Sequence, residues 1–389
     1  MSAASEHRVI PINPALLRWA RESVGLSLAE AAARAKIDYL KQKNLDPADR
    51  LRLIEEGKLP INENILRHIS NAYRLPEIVF FLSAPPQEDK SLIDFRTVGS
   101  NAPGIDTPEF AALKRRALNL HDALHDIALE NGDEPVSFIN SVSLPISGDA
   151  LAAKIEEAFG PNPRETVRGT DGKQLFNALR DQAQERGVYI CLMGDLGHHT
   201  SKVDADEFRG MVISDPIAPL VIINPNDTDK ANVFSLVHEF AHLLLGVTGV
   251  SDAGDSRHSK ETERICNAAA AEYLLPAEAC KKMLCLGADE NDIRKMARHF
   301  KVSETATARR ALDLGMIPSE MYHMIAQRAA AATKKSLSGK PDLNVVVKSR
   351  IGRKITQTMF DAAMNGIISF GTAASLLGLS ISRLEKVCS

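Results

Sequence analysis

His238-Glu239-Phe240-Ala241-His242 stands inside an apolar run, with Phe234-Ser235-Leu236-Val237 before it and Leu243-Leu244-Leu245 after it. The spacing predicts a helix, because Leu236, Leu243 and Leu244 form a buried stripe and Gly246 supplies a stop. Four residues of α-helix turn through about 400°, so both imidazoles fall on one face, roughly 6 Å apart along the axis. Two imidazoles so placed can bind one zinc ion at about 2.0–2.1 Å each. Glu239, beside the first of them, is positioned to take a proton from an attacking water. The plainer alternative is a core helix whose histidines are satisfied by hydrogen bonds.

Catalytic zinc usually takes three protein ligands. A second helix is expected over Glu261 to Pro276, and its Ala268–Ala271 run is small enough to pack closely on the first. Two acids in it compete for the third position, Glu263 and Glu272. Nine residues separate them, which puts them about 180° apart around a helix. Glu263 is favoured, because Asn267 lies one turn later on its face and could orient a bound imidazole. Glu272 could instead line the cleft or hold a structural contact. Cys266 is a further rival by chemistry, only mildly disfavoured by its angle from Glu263.

These segments resemble the ImmA/IrrE family of bacterial metallopeptidases. The family carries H-E-x-x-H and an E-x-x-(A/C)-N-x-x-A-A-x-x-L-x-P helix, met here by Glu263-Arg-Ile-Cys266-Asn267 and by Glu272-Tyr-Leu-Leu-Pro276. Phe208-Arg-Gly210-Met-Val-Ile and Leu220-Val-Ile-Ile-Asn224 are similar to the two strands that lead into the family's zinc helix. The resemblance implies a gluzincin-type site, with His238, His242 and Glu263 on Zn2+ and Glu239 as general base. It also implies a protein substrate, a helix-turn-helix repressor or antitoxin, in a stress, phage or toxin–antitoxin type circuit. No residue names the bond that would be cut.

A chain of 389 residues is long for one domain. Its hydrophobic content of 44 % is that of an ordinary globular protein, while a low aromatic share (5 %) and frequent Ala point to a largely helical one. A formal net charge of −3 excludes a global basic field, so any nucleic-acid contact must come from a local patch. The cysteines, Cys191, Cys266, Cys280, Cys285 and Cys388, are odd in number and contain no CxxC pair, as in a reducing, cytoplasmic setting. No signal-peptide pattern and no apolar run of about 18 residues is found, so no membrane role is expected.

Near the N-terminus, Asn13 to Gly25 reads as a short amphipathic helix, and Ser27 caps a second one over Leu28–Ala35. Helix, glycine turn and small-residue helix resemble the repressor-type helix-turn-helix modules fused to this peptidase family, as does Asp94-Phe95-Arg96-Thr97 downstream. Ile54 stands where the family pattern has an aromatic residue, and Ile37 to Asp49 is longer than a tight turn and recognition helix require. Lys41, Lys43, Arg50 and Arg52 are the candidate DNA contacts. The other reading gives this module to dimerisation or sensing.

The chain as a whole reads as α+β and mainly helical. A helix-turn-helix-like domain is expected over residues 8–98 and a linker with a helix (108–131) over 99–138. A zinc peptidase domain with a small sheet then covers 139–286, a helix-turn-helix-like subdomain 287–330 and a helical segment 342–389. His121 and His125 in the linker helix are four apart but lack a downstream partner, and read as a polar helix face. His198, His199 and Thr200 fall in a polar loop. His258 falls in the connection Val247 to Lys260, solvated or, alternatively, stabilising an oxyanion. Ala329 to Pro341 reads as a mobile linker. A competing functional reading is a DNA-binding regulator whose zinc module senses a signal or binds a partner.

Overall fold

Asn13 starts the first helix of the computed structural model by accepting a hydrogen bond from the Ala15 amide, and Pro14 follows at the position where no amide is needed. The structure describes residues 10–37, 45–86, 106–169, 172–197, 201–247, 256–284, 287–333 and 350–388. These divide into two compact units.

In the first unit, α1 (Pro14–Ser23) and α2 (Leu28–Arg34) are joined by a turn through Gly25, where φ is +65°. Ser27 and Glu30 form a reciprocal capping box at the start of α2. After α3 (Pro47–Glu55) and α4 (Glu63–Tyr73) a 3-10 turn runs over Glu77–Phe81. Leu16, Leu17, Leu51, Ile54, Ile69, Tyr73 and Phe80 make the core. One ion pair braces it: Arg21 reaches Glu55 at 2.7 and 3.0 Å while donating to the Leu26 carbonyl at 3.0 Å, which ties the turn between α1 and α2 to α3.

α5 (Pro108–Asn131) enters the second unit at Arg116. There follow α6 (Gly148–Phe159), α7 (Lys173–Glu185) and three strands, β1 (Tyr189–Leu192), β2 (Gly210–Ile213) and β3 (Leu220–Ile223). β3 is central, parallel to β1 and antiparallel to β2, with Val221 opposite both Ile190 and Val212. Next come α8 (Asp229–Leu245), α9 (Ser256–Leu274), α10 (Ala277–Met283), α11 (Glu290–Phe300), α12 (Glu304–Asp313) and α13 (Ser319–Thr333). Helices Arg353–Met364, Phe370–Leu377 and Ile381–Cys388 complete the described chain. The result is mainly helical with one small sheet.

Close packing of α6 on α9 depends on Gly148: a Cβ there would lie 2.6 Å from the Ala268 Cβ. Phe159 of α6 stacks on Phe240 at 4.0 Å between ring centroids, which buries the face of α8 that carries the middle of the H-E-x-x-H stretch. Ile293, Met296, Phe300 and Ala311 of α11 and α12 join the same core as Leu236 and Phe240. The α11–α12 pair, similar in outline to a helix-turn-helix, thus packs into the core around α8.

Two expectations need correcting. α9 begins at Ser256, so the backbone at His258 is helical and not part of a loop. α13 runs to Thr333, so the expected linker is helical at Ala329–Thr333; residues 334–341 lie outside the described residues.

Candidate metal centre

α8 starts on Thr228, whose hydroxyl accepts from the Ala231 amide, and ends on Gly246 in the left-handed region at φ +66°. Its last carbonyls are met from outside the helix: the amides of Asn140 and Val142 donate to Leu243 and Leu244, each at 3.0 Å. A helix held at both ends presents His238 and His242 at a defined angle.

Their Nε2 atoms lie 3.0 Å apart. Glu263 on α9 closes a triangle, with Oε2 3.2 Å from His238 Nε2 and Oε1 3.1 Å from His242 Nε2. Bonds of about 2.0–2.1 Å in a tetrahedron place ligand atoms about 3.3 Å apart. The triangle therefore matches one face of a slightly contracted zinc tetrahedron. His238, His242 and Glu263 would supply the three protein ligands that a catalytic zinc usually takes. The donor set of two imidazoles and a carboxylate suits zinc. The three residues fit the ion on both size and chemistry.

Electrostatics point the same way. Burial disfavours an ionised Glu263, yet the two imidazoles bonded to it hold its carboxyl well below the usual carboxylate range. Burial lowers the proton affinity of His238, but Glu263, Glu239 and Asn267 more than offset this and the net shift is upward. Glu239 is 4 % exposed, and burial pushes its carboxyl up despite the pull of both histidines. Its Oε2 is buried without a hydrogen-bond partner, as is His238 Nδ1. Such groups are costly unless a ligand, proton or water engages them.

Glu272, the alternative third ligand, is engaged elsewhere. It pairs with Arg310 and accepts from the Ala277 amide at 3.2 Å, capping α10. Cys266 is buried with its sulfur 3.8 Å from His242 Nδ1, on the far side of the ring from Glu263. Burial raises its thiol pKa.

Of the candidate DNA contacts, Arg50 is 7 % exposed and belongs to the interior of α3, while Arg52 is exposed and pairs with Asp49 at 2.8 Å. Lys41 and Lys43 lie outside the described residues, as do residues 94–97 and His198, His199 and Thr200. Nothing is described of the His258 side chain.

Sequence reading missed two residues. Gly210 of β2 faces Glu239 so closely that a Cβ would overlap its Oε1. The available signal was a glycine inside an apolar strand, which often marks close approach of another group. Asp215, in the turn between β2 and β3, meets His121 and His125, and no motif announced it.

Two helices thus bring an H-E-x-x-H pair and a carboxylate together beside a small sheet. Residues 183–312, from the end of α7 to α12, match the family model of the IrrE N-terminal-like domain, Peptidase_M78. The match supports the ImmA/IrrE peptidase reading for this part of the chain. No curated protein matches the chain. No described helix is long and apolar enough to cross a membrane.

Proposed function

We propose that the chain is a zinc endopeptidase that cleaves or controls a repressor-type protein, with His238, His242 and Glu263 holding the ion. The observation that carries this reading is the triangle of donor atoms at 3.0–3.2 Å with the buried Glu239 carboxylate beside it. A zinc ion bound there supplies a Lewis acid for a scissile carbonyl and lowers the pKa of water toward about 7. Glu239 takes the proton from the attacking water and returns it to the leaving amine. Asn267, one turn beyond Glu263 on α9, would orient the His238 ring. Among the described strands β2 pairs only with β3, so an extended peptide could add along its other edge, next to Glu239.

The first unit serves, in this reading, to bring the peptidase to its substrate or to DNA. A cytoplasmic, self-associating protein would accord with either. Sequence-specific, salt-dependent gel shifts by the full chain would support DNA binding; none at low salt would remove it.

The test is cleavage of repressor-type helix-turn-helix proteins by the zinc-loaded chain, read by mass spectrometry. Glu239→Gln should keep the zinc and slow cleavage by at least about 100-fold. Cleavage at the wild-type rate by that variant would end the proposal.

A further inference from the structure

We infer that the chain holds a second site for a divalent transition metal, of the zinc class, built from His121, His125 and Asp215. His121 and His125 lie four apart on α5 and so on one face. Asp215 comes from the turn between β2 and β3, far along the sequence. Its Oδ2 is 2.9 Å from His125 Nδ1 and 3.4 Å from His121 Nε2, and the three ligand atoms all lie within 4.8 Å of one another. Donor atoms around an ion with bonds of about 2.1 Å are about 3 to 4 Å apart, so small side-chain shifts bring all three into range.

Three details favour a cation there over a plain imidazole–carboxylate pair. His121 Nε2 and His125 Nδ1 are both buried and neither makes a hydrogen bond of acceptable geometry, although Asp215 is in contact distance. The two nitrogens and the oxygen lie within 4.8 Å of one another, yet neither nitrogen is hydrogen-bonded. Next, Asp215 is fixed from behind. Its Oδ1 accepts from the amides of Ile217 at 2.7 Å and Ala218 at 3.0 Å, which leaves Oδ2 facing the imidazoles. Finally, Asp122 Oδ1 lies 3.3 Å from His121 Nδ1, the far nitrogen of that ring. A carboxylate behind an imidazole sets the tautomer with its hydrogen on Nδ1, so that Nε2 presents a lone pair. A lone pair opposed to a carboxylate oxygen is repulsive until a proton or a metal ion lies between them.

Two imidazoles and one carboxylate suit zinc and its first-row neighbours better than magnesium or calcium. The His125 side chain is 32 % exposed, so water can complete the coordination. An ion here would fasten α5 to the turn that ends β2, where the Val136 amide already donates to the Pro216 carbonyl at 2.7 Å. Gly210, which seats Glu239, begins the same strand. The second ion would therefore act as a clamp on the strand beside the proposed catalytic centre.

The test is a count of zinc per full-length chain, stripped with chelator, reloaded and measured by native mass spectrometry and elemental analysis. Two ions are expected in the wild type. His125→Gln and Asp215→Asn should each leave one, and a His238→Ala/His242→Ala variant should also leave one. Asp215→Asn keeps an oxygen for the Ile217 and Ala218 amides, and His125 is partly exposed, so both variants should fold; circular dichroism checks this. Cobalt added to the His238→Ala/His242→Ala protein should give visible ligand-field absorption that a further His125→Gln removes. A wild type that binds one ion, lost with His238 and His242 but kept in Asp215→Asn, would overturn the inference. A single ion lost in Asp215→Asn instead would uphold it and count against the peptidase centre.

Discussion

The α-carbon of Gly210 stands against the Glu239 carboxylate so closely that a methyl group there would overlap Oε1. The glycine thus makes the room in which a buried acid can lie beside two imidazoles. Gly210→Ala should displace that carboxylate and lower turnover by about 10- to 100-fold, with a stability cost of about 1–3 kcal/mol from overpacking. Zinc content should be unchanged, because Gly210 touches the base and not the triangle. A Gly210→Ala enzyme with wild-type turnover would show that Glu239 does not work from this position.

The two acids of α9 should separate cleanly. Glu263→Ala removes one corner of the triangle and should weaken zinc binding by more than about 100-fold, beyond the loss caused by an outer partner. Glu272→Ala should leave zinc binding intact and cost about 1–3 kcal/mol, since Arg310 and the Ala277 amide lose their acceptor. Zinc titration and thermal unfolding of both variants decide the matter; loss of zinc in Glu272→Ala would reverse the assignment.

Glu55 has a side chain 2 % exposed and is bonded by Arg21 at 2.7 Å, with Arg18 farther off at 4.0 Å. Arg21→Met should leave that carboxylate with only the distant Arg18 and destabilise the first unit by about 3–5 kcal/mol. Trp19 in α1 is the single tryptophan of the chain, so its fluorescence during urea unfolding reports on this unit. An unchanged midpoint would mean that the pair contributes nothing.

Burial pushes the thiol of Cys191 up to about 12 and that of Cys280 up to about 11. A raised thiol pKa keeps the neutral form as pH rises, and the thiolate is the reactive form. Raising the pH from 7 to 9 should therefore leave both cysteines unlabelled by iodoacetamide in the folded protein. Peptide mapping checks this, and rapid labelling of either residue at pH 8 would contradict the packing described.

Local patterns were legible where one helix or strand decides the outcome. The linker helix runs Pro108–Asn131 as expected, and the Gly246 stop and the Ser27 and Ser303 caps fall where the residues place them. The start of α9 was not legible, because Ser256 to Lys260 lacks an apolar stripe and reads as loop in isolation. The burial of Arg50, a candidate DNA contact, was not legible either. On α3 it stands between Asp49 and Leu51, and only the packing of the unit shows it to be 7 % exposed.

Sequence alone determined that His238 and His242 share a face, because a four-residue step on a helix is a matter of backbone geometry. It also narrowed the third donor to one helix. Which acid turns toward the imidazoles was decided by tertiary structure, since Glu263 and Glu272 point to opposite sides and only the packing of α9 on α8 and α6 selects one. The same holds for Gly210 against Glu239 and for Asp215 between His121 and His125. Those partners are distant along the chain, and distance in sequence carries no information about contact until the core has closed.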